Sequence, residues 1–405
     1  MVKEWPVFTI GDILDFKNGL NKGKEFFGYG TPIVNYTDVY HNSGIKQKDI
    51  KGKVMLTKEE IRRFEVRKND VFFTRTSETP DEVGLSAVLL EDIPDCVFSG
   101  FVLRGRPKND WLIGEYCKYC FSAKHIRDEI VRNCTYTTRA LTNGKVLSAI
   151  NIPVPSKLEQ EGIADILSSF EQYIADLVEL IEKKRGIRDG ALDELIAGRT
   201  RLEGFCGERK EYTISDITRT VITGGTPSTA RQEYYGGNIP WLSSTEIHQK
   251  RIKKPTTYIT DLGLQNSSAK MAPERSVLIA LAGQGKTRGT AAYLTRPMAL
   301  NQSLAALVTN EKCNPEFLYY LIEGMYLSLR ELSSGDGGRG GLNKKLIKGV
   351  TVTIPVDVVE QEAIADTLTA MDEEIEALEI ERDKMIQIRE GAMDDLLTGC
   401  VRLSV

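Results

Sequence analysis

Two short stretches of the sequence carry residue types that could do chemistry, and the first resembles a nucleotide site. Ala280-Leu-Ala-Gly-Gln-Gly-Lys-Thr287 follows an apolar run and nearly matches the phosphate-binding loop GxxxxGK[ST]. An alanine replaces the first glycine, and Gly289 and Pro297 stand where that loop must be followed by a helix. The pattern favours a flexible hairpin loop with basic tips over a nucleotide site.

The second stretch, Cys117-Lys-Tyr-Cys120, has the spacing of half a zinc site. It lies in a predicted helix, and the sequence supplies no second ligand pair, so buried thiols are the favoured interpretation. His41, His125 and His248 are isolated from one another, which excludes an HExxH metal site. The sequence therefore predicts no metal site.

The motifs of methyl transfer and DNA cleavage are also missing. Asn314-Pro-Glu-Phe317 comes closest to the methyltransferase tetrapeptide [NDS]PP[YF] but lacks its second proline. No glycine-rich cofactor fingerprint and no nuclease carboxylate cluster followed by Glu-x-Lys is found. We expect no catalytic residues in this chain.

Length and composition predict a multidomain globular protein. The chain has 405 residues, 41% hydrophobic and 27% charged, which is enough for two to four domains of about 100–200 residues each. No apolar run approaches the ~18 residues of a membrane span, and the start MVKEWPVFTI does not resemble a signal peptide. Seven cysteines favour reduced thiols, so we expect a cytoplasmic protein.

The sequence contains a tandem duplication. Residues 159–202 aligned on 360–403, an offset of 201, give 19 identities in 44 positions. These two segments are acidic: the first holds 6 basic and 10 acidic side chains and the second 4 and 13. The remainder is mildly basic, with net charges of +4 over 1–158 and +5 over 203–359, which permits phosphate binding without demonstrating it.

Each acidic segment is predicted to be one long helix with a coiled-coil seam. The apolar residues recur in steps of four and three, at Ile163, Leu167, Phe170, Ile174, Leu177 and Ile181, and again at Ile364, Leu368, Met371, Ile375 and Leu378. About 39 residues at ~1.5 Å each span nearly 60 Å. Pairing the two helices antiparallel would bury both stripes and form a spacer rod.

Charged residues interrupt this rhythm at Lys184 and Arg188 in the first helix and at Arg382 in the second. A change of face or a solvated stretch is the favoured explanation. The alternative is that these charges fix the register or contact another protein.

The two basic domains match each other more faintly and are predicted to be mixed α+β. Phe8-Thr-Ile-Gly-Asp-Ile13 corresponds to Tyr212-Thr-Ile-Ser-Asp-Ile217, and Asn35-Tyr-Thr-Asp-Val39 to Ser243-Ser-Thr-Glu-Ile247. Strands are predicted at 70–74 and 276–280, helices at 111–132 and 315–332, and final strands at 150–155 and 352–356. Matched scaffolds with unlike loops suggest two sites of one kind with different specificities.

Together these features resemble the specificity (S) subunit of type I restriction-modification systems. The segment 152–164, Ile-Pro-Val-Pro-Ser-Lys-Leu-Glu-Gln-Glu-Gly-Ile-Ala, is similar to that family's proline-flanked EQxxIA signature, which occurs twice here. Gly224-Gly-Thr-Pro-Ser228, Tyr234 to Trp241 and Asn301-Gln302 resemble its target-recognition patterns. The first domain departs from them, with Asn18-Gly19-Leu20 and Phe98-Ser99 instead.

The resemblance implies a layout and a function. Residues 1–155 and 203–357 would be two α+β target-recognition domains, and 156–202 and 358–405 two spacer helices paired as an antiparallel coiled coil. Each domain would bind one half of a split double-stranded DNA target, and the helices would set the spacing. Two methyltransferase (M) subunits and restriction (R) subunits would be partners, and S-adenosylmethionine, ATP and Mg would belong to them.

Loop residues whose types suit phosphates or base edges are the predicted DNA contacts. In the first domain they are Lys22, Lys24, Asn35, Arg75, Thr76, Ser77 and Arg139. In the second domain they are Ser243, Ser244, Gln284, Lys286, Thr287, Arg288 and Arg339.

Two rival functions stay open at this point: a non-DNA coiled-coil scaffold joining two protein-binding domains, and a relative of single-chain enzymes that fuse methylation, cleavage and specificity.

Overall fold

The computed structural model describes residues 5–283, 286–333 and 341–403, and their contacts divide the chain into two units. The first unit comprises Met1–Val178 and Ile380–Val405, and the second Glu179–Glu379. Each unit contains one mixed domain and a part of each long helix.

The first unit is built on a five-stranded sheet with two smaller three-stranded sheets and a two-stranded pair. Its strands are β1 (Val7–Thr9), β2 (Leu14–Asn18), β3 (Phe27–Val34), β4 (Gly44–Ile45), β5 (Lys53–Val54), β6 (Val71–Thr74), β7 (Thr76–Ser77), β8 (Ser86–Leu89), β9 (Val97–Phe98), β10 (Val102–Pro107), β11 (Thr135–Tyr136), β12 (Ala140–Leu141) and β13 (Asn151–Pro153). The order in the main sheet is β2-β10-β6-β8-β4, antiparallel except for β4 and β8.

Short helices cover both faces of this sheet. They are α1 (Ile10–Ile13), α2 (Tyr36–His41), α3 (Lys58–Phe64), α4 (Gly114–Cys120), α5 (Lys124–Arg132) and α6 (Gly144–Ser148), with 3-10 turns at Lys24–Phe26, Gln47–Asp49 and Pro80–Glu82. Alternation along β6 separates two cores: Val71 and Phe73 pack with α4 and α5, whereas Phe72 packs with Val34 and Val39 on the opposite face.

The second unit repeats the same sheet. Its strands are β14 (Arg209–Thr213), β15 (Thr218–Thr223), β16 (Tyr235–Leu242), β17 (Arg251–Ile252), β18 (Thr257–Ile259), β19 (Lys270–Ala272), β20 (Val277–Ala280), β21 (Ala291–Leu294), β22 (Met298–Leu300), β23 (Leu304–Thr309) and β24 (Thr351–Pro355). The main sheet has the order β15-β23-β20-β21-β17, again with one parallel edge pair. The predicted α+β class with two similar domains is therefore confirmed.

The remaining helices of the chain include two long ones. The helices in chain order after α6 are α7 (Lys157–Ala197), α8 (Ile214–Ile217), α9 (Asp261–Gln265), α10 (Pro315–Gly324), α11 (Tyr326–Leu332), α12 (Lys344–Lys348) and α13 (Val358–Thr398), with 3-10 turns at Gln232–Tyr234 and Glu246–Gln249. Both α7 and α13 are followed by a glycine, Gly198 and Gly399, in the left-handed conformation at φ +71° and +74°. Glycine adopts this conformation without a Cβ clash, which ends each helix.

The matched sequence at the start of each domain forms the same N-terminal helix cap. The Asp12 amide donates to Thr9 Oγ1 (3.1 Å), while the Thr9 amide donates to Asp12 Oδ2 (2.9 Å). Thr213 and Asp216 repeat this exchange at 3.3 and 2.8 Å. The Thr-Ile-x-Asp repeat therefore reflects a structural cap.

The prediction of one helix over 111–132 and one over 315–332 was wrong, because each of these stretches forms two helices. In the first unit α4 ends at Cys120 and α5 begins at Lys124, since the backbone turns at Ala123 (ψ 137°). The break lets Phe121 pack on Phe73, with ring centroids 5.2 Å apart. In the second unit α10 ends at Gly324.

Candidate nucleic-acid interface

Two loops meet at one edge of the five-stranded sheet in the first unit. Strand β6 runs antiparallel to β8 and β10, so the end of β6 lies beside the beginnings of the other two. The Gly84 amide donates to the Thr74 carbonyl (2.9 Å), and the Arg75 amide donates to the Phe101 carbonyl (3.2 Å). These bonds fix the loop 75–85 against the loop 99–101.

The second unit makes the same two bonds at its own sheet edge. The Gly289 amide donates to the Ala280 carbonyl (2.9 Å), and the Leu281 amide donates to the Ser303 carbonyl (2.8 Å). The equivalence aligns Gly84 with Gly289, both at positive φ. These hydrogen bonds therefore align the loops of the two units, whose sequences differ too much to be aligned directly.

A third loop of each unit is held by a buried carboxylate. The Asn35 amide donates to Asp38 Oδ2 (2.8 Å) at the start of α2, and the Ser243 amide donates to Glu246 Oε2 (3.1 Å) in the second unit. Burial raises the pKa of Asp38. Burial also acts to raise the pKa of Glu246, but hydrogen bonds led by the Thr256 hydroxyl outweigh it and lower that pKa.

One hydrogen bond joins equivalent positions of the loops in both units, with different chemical groups. In the first unit the Tyr40 hydroxyl donates to Glu82 Oε1 (2.8 Å). In the second unit His248 Nε2 lies 3.1 Å from Thr287 Oγ1. Tyr40 and His248 each stand two residues after the aligned buried acid, and Glu82 and Thr287 each stand two residues before the aligned glycine.

The loops of the first unit enclose a cleft of about 380 Å³ that we call the acceptor cleft. Its lining consists of Tyr36, Tyr40, Thr76, Ser77, Glu78, Glu82, Phe101 and Arg139. Phe101 is 66% exposed, and the rings of Tyr36 and Tyr40 stack with centroids 5.7 Å apart. The cleft therefore combines exposed aromatic surface with hydrogen-bonding groups.

A second cleft of about 460 Å³, which we call the basic cleft, is lined by Arg75, the residue before Thr76. Its charged lining residues are Lys17, Arg75, Lys108, Lys145 and Asp15. The ammonium groups of Lys17 and Lys108 donate to the carbonyls of Arg63 (2.5 Å) and Gly11 (2.6 Å). The cleft is predominantly cationic and suits phosphate oxygens.

Four of the seven predicted contact residues of the first domain line these clefts: Arg75 the basic cleft, and Thr76, Ser77 and Arg139 the acceptor cleft. Lys22, Lys24 and Asn35 line neither. Lys22 is paired with both carboxylate oxygens of Glu60 (2.7 and 2.8 Å), Lys24 is exposed in a 3-10 turn, and Asn35 precedes α2.

In the second domain, Lys286, Thr287 and Arg288 lie in the turn before β21, and Gln284 and Arg339 fall outside the described residues. Lys286 is exposed and Arg288 is partly buried. The Ser243 hydroxyl donates to Glu246 (2.9 Å), and Ser244 is partly buried. β20 and β21 pair as a hairpin, and among the described residues no helix follows Thr287 before β21, unlike a nucleotide-binding loop.

Sequence reasoning missed Tyr40, Glu82, Phe101 and His248. Tyr40 and His248 directly follow the aligned stretches 35–39 and 243–247, so an alignment one residue longer would have found that pair. Glu82 carried no signal, because Tyr40, which lies 42 residues away, reaches it only in the folded domain.

The repeated Glu-Gln pair anchors each long helix to its own domain. Gln160 Oε1 accepts from the Ile113 amide (3.0 Å), and its Nε2 donates to the carbonyls of Trp111 (2.7 Å) and Pro155 (3.0 Å). Glu159 accepts from Arg402 Nε (2.7 Å), and this bond is the main cause of the lowered pKa of Glu159.

The second unit repeats this anchor at Glu360 and Gln361. Gln361 binds the Asn314 amide (2.8 Å) and the carbonyls of Lys312 (3.0 Å) and Pro355 (2.8 Å). Arg201 Nη2 donates to Glu360 Oε2 at 2.6 Å. The signature thus has one structural role in both units.

The long helices contact each other within each unit, start against end. In the first unit Ile163 and Leu167 of α7 share a core with Leu396 and Leu397 of α13. In the second unit Leu192 and Leu195 of α7 share a core with Ile364, Ala365 and Leu368 of α13, and Met371 packs against it. The helices therefore run antiparallel.

Of the other predicted seam residues, Leu177, Ile181 and Ile375 are buried, and Phe170, Ile174 and Leu378 are partly buried.

Arg188 is buried in the second unit, 4% exposed, where the favoured sequence interpretation placed a solvated charge or a change of face. Its Nε donates to Asp372 Oδ1 (2.9 Å), and its Nη2 donates to Glu323 Oε2 (2.5 Å). Burial acts to lower the pKa of Arg188, but Glu323 and Asp372 raise it above its usual value. The register interpretation is therefore the one that fits Arg188.

Lys184 also pairs across the helices, with its Nζ 2.6 Å from Glu374 Oε1. Arg382 instead pairs with its neighbour Asp383 at 2.7 Å and is partly exposed. The three interruptions of the seam thus have different environments.

Comparison with known proteins decides between the interpretations. The family described as "Type I restriction modification DNA specificity domain" matches residues 2–184 and 207–386. The chain belongs to this family. The resemblance to type I specificity subunits is confirmed, and the non-DNA scaffold is not favoured.

One relative and one solved structure cover nearly the whole chain, and a second relative covers about half of it. A putative type I restriction enzyme MjaX specificity subunit from Methanocaldococcus jannaschii is 23% identical over 99% of this chain and 94% of its own length. The Escherichia coli EcoR124I/EcoR124II specificity subunit is 24% identical over 55% of each chain. The crystal structure of the S subunit from M. genitalium matches with a TM-score of 0.59 at 18% identity, over 97% of this chain and 96% of its own.

The remaining structural findings concern cysteines, metals and membranes. Cys117 and Cys120 are free, buried thiols in the core of the first unit, as predicted. Among the described residues, no group of three or more His, Cys, Asp or Glu side chains is placed to hold a metal ion. None of the described helices is long and apolar enough to cross a membrane.

Proposed function

We propose that this chain is the DNA-specificity subunit of a cytoplasmic type I restriction-modification complex. Each domain binds one half of a bipartite double-stranded DNA target, and α7 and α13 set the number of unspecified base pairs between the halves. The observation that supports this most directly is the pair of matched loop edges that carry Tyr40 and Glu82 in one unit and His248 and Thr287 in the other. Matching five-stranded sheets with unlike groups at equivalent positions suit two different half-sequences.

The proposed role is non-catalytic. Two methyltransferase subunits supply S-adenosylmethionine and the methyl transfer, and restriction subunits supply ATP-driven, Mg-dependent cleavage. We expect the purified chain alone to transfer no methyl group from radiolabelled S-adenosylmethionine to DNA, and transfer by the chain alone would contradict this role.

Coexpression with the cognate methyltransferase subunit tests the function as a whole. A host that lacks other adenine methylation should acquire methylation at one bipartite motif, detected by single-molecule sequencing of its genome. Methylation independent of this chain, or at a single uninterrupted motif, would contradict the proposal.

The long helices are the proposed docking surface for the methyltransferase subunits. Besides the buried seam they expose apolar side chains: Leu180 and Ile187 in the second unit, and Ile380 and Ile388 in the first. Exposed apolar residues on helices that are otherwise acidic suit a protein partner better than DNA.

We expect Leu180→Ser with Ile187→Ser to lower copurification of the methyltransferase subunit at least about tenfold, because two apolar contacts are removed. Lys183→Ser, an exposed position on the same helix, is the matched control. Equal recovery with the double variant and the control would exclude this surface.

A further inference from the structure

The acceptor cleft of the first unit contains a carboxylate whose two oxygens are held by different loops. Ser77 Oγ donates to Glu82 Oε2 (2.8 Å), and the Tyr40 hydroxyl donates to Glu82 Oε1 (2.8 Å). The hydrogen bond from Ser77 is the largest cause, and that from Tyr40 the second, of a lowered pKa of Glu82. Glu82 is therefore ionised at neutral pH and is an acceptor only.

This carboxylate still has capacity to accept hydrogen bonds. An ionised carboxylate offers about four acceptor sites, and Ser77 and Tyr40 occupy one on each oxygen. Glu82 is partly exposed and lines the cleft beside the exposed ring of Phe101 and the exposed Arg139. A donor that enters the cleft can therefore reach a pre-positioned acceptor.

Little on a DNA surface can donate to such a group. Phosphates are anionic acceptors and repel it. In the major groove, guanine and thymine present acceptors, whereas cytosine N4 and adenine N6 present amino donors. A fixed carboxylate that faces the major groove consequently favours cytosine or adenine, whose amino groups lie in that groove, and disfavours guanine and thymine.

The equivalent position of the second unit has different hydrogen-bonding properties. Thr287 replaces Glu82 and contacts His248 at 3.1 Å. A hydroxyl both donates and accepts, so it does not impose the same choice of base. The difference lies at a matched backbone position, which points to a specificity-determining role rather than a framework role.

The neighbouring basic cleft supplies the charge that a carboxylate near DNA requires. Arg75 lines it, and the next residues, Thr76 and Ser77, line the acceptor cleft. Lys17, Lys108 and Lys145 add three further cations there. The two clefts therefore adjoin at Arg75 and Thr76, which are consecutive residues of the chain.

We propose that Glu82 determines one base pair of the half-target bound by the first domain, by accepting the exocyclic amino group of cytosine or adenine. Ser77 and Tyr40 are positioning residues for its carboxylate. This inference rests on the proposed function of the chain as a DNA-specificity subunit.

The test is Glu82→Gln in the assembled methyltransferase, with the methylated motif determined by genome sequencing. The variant should alter one position in one half of the wild-type motif and leave every other position unchanged. Glutamine pairs with adenine, so a cytosine position should shift toward adenine, whereas an adenine position should remain adenine with changed discrimination. Discrimination at that base pair in methyl-transfer assays should change at least about tenfold.

Glu59→Gln is the matched control, because it removes the same charge from an exposed position of α3 in the same domain. It should leave the motif unchanged. Tyr40→Phe keeps the carboxylate but removes one of its donors, so it should weaken discrimination at the same base pair by a smaller factor. This second variant tests the inference even if Glu82→Gln does not assemble.

The outcomes separate this inference from the function on which it rests. No bipartite motif with the wild-type complex would overturn the proposed function itself. A bipartite wild-type motif with discrimination unchanged in the assembled variants, or altered in the other half, would overturn the role of Glu82 alone.

Discussion

Glu171 of α7 and Asp372 of α13 occupy equivalent positions of the repeat. The groups that donate hydrogen bonds to these two carboxylates differ between the units. In the first unit Glu171 accepts hydrogen bonds from Lys118 Nζ (3.1 Å) and from the Tyr119 hydroxyl (2.9 Å), both on α4. In the second unit Asp372 accepts hydrogen bonds from the Tyr320 hydroxyl of α10 (2.9 Å) and from Arg188 of the opposite long helix, α7.

This difference separates two structural tasks. The tyrosine contact binds a long helix to its domain in both units, whereas Arg188 also joins α7 to α13 and to Glu323 of α10. A buried cation with partners on two other helices ties α7, α10 and α13 together at one point of the second unit. The first unit achieves the domain contact with a lysine from the domain itself.

The loops differ in charge as well. Counted back from the aligned glycines, Lys286 and Arg288 of the second unit occupy the positions of Asp81 and Val83 in the first. The first unit places its cations in the basic cleft instead. One scaffold therefore accommodates two distributions of charge at its sheet edge.

The largest expected effect comes from shortening both helices without altering either anchoring cluster. Tyr173 contacts Glu381 and Arg185 contacts Glu379, both at 2.5 Å, so the antiparallel segments 172–178 and 381–387 lie beside each other. Deletion of both removes one heptad, about 10.5 Å, which corresponds to up to about three base pairs at ~3.4 Å each. The original target should be lost, and the new motif should keep both half-sequences.

Methylome sequencing of the assembled variant measures this change. The matched control substitutes Ser at the exposed residue Asp176 within the deleted segment and should retain the original spacing. An active deletion variant with the original spacing, or with altered half-sequences, would contradict independent domains joined by a ruler.

The next largest effect concerns the asymmetry in helix anchoring. Arg188→Ala leaves Asp372 and Glu323 without their shared cation and should lower the free energy of unfolding of the second unit by about 3 kcal/mol. Hydrogen exchange of residues 358–379 reports this loss. Arg389→Ala, the equivalent position in the first unit, should cost less than half as much, and equal losses would remove the distinction between the units.

The smallest expected effect concerns the charged loop of the second unit. Lys286→Gln with Arg288→Gln should weaken DNA binding by the assembled methyltransferase and flatten the slope of log affinity against log salt by up to about 0.9 per lost phosphate contact. Asp81→Asn in the first unit, at the position equivalent to Lys286, should not flatten it. A slope unchanged by the double variant would mean that this loop does not contact the DNA backbone.

Local patterns in the sequence predicted much of the fold. The four-three spacing that begins at Ile163 and Ile364 predicted helices close to α7 and α13, because periodic burial is a local property. The same rhythm placed Arg188 on the seam. Its burial was not predicted, because Glu323 lies 135 residues away.

The candidate site was less predictable than the fold. Residue type alone indicates Arg75, Thr76, Ser77 and Arg139, and their roles stay predictions. Glu82 was overlooked because a carboxylate is an unusual choice for DNA, and its two donors converge only in the folded domain. Pairings between distant loops depend on tertiary structure and leave no spacing rule in the sequence.

The anchor glutamines have a consequence for how such a chain can change over time. Gln160 and Gln361 bind only main-chain N–H and C=O groups of their domains. Main-chain groups are common to nearly all residue types, so mutations at the contacted positions 111, 113, 312 and 314 leave this attachment intact. An entire domain can therefore diverge, or be exchanged by recombination, while the helix that carries it keeps the same attachment.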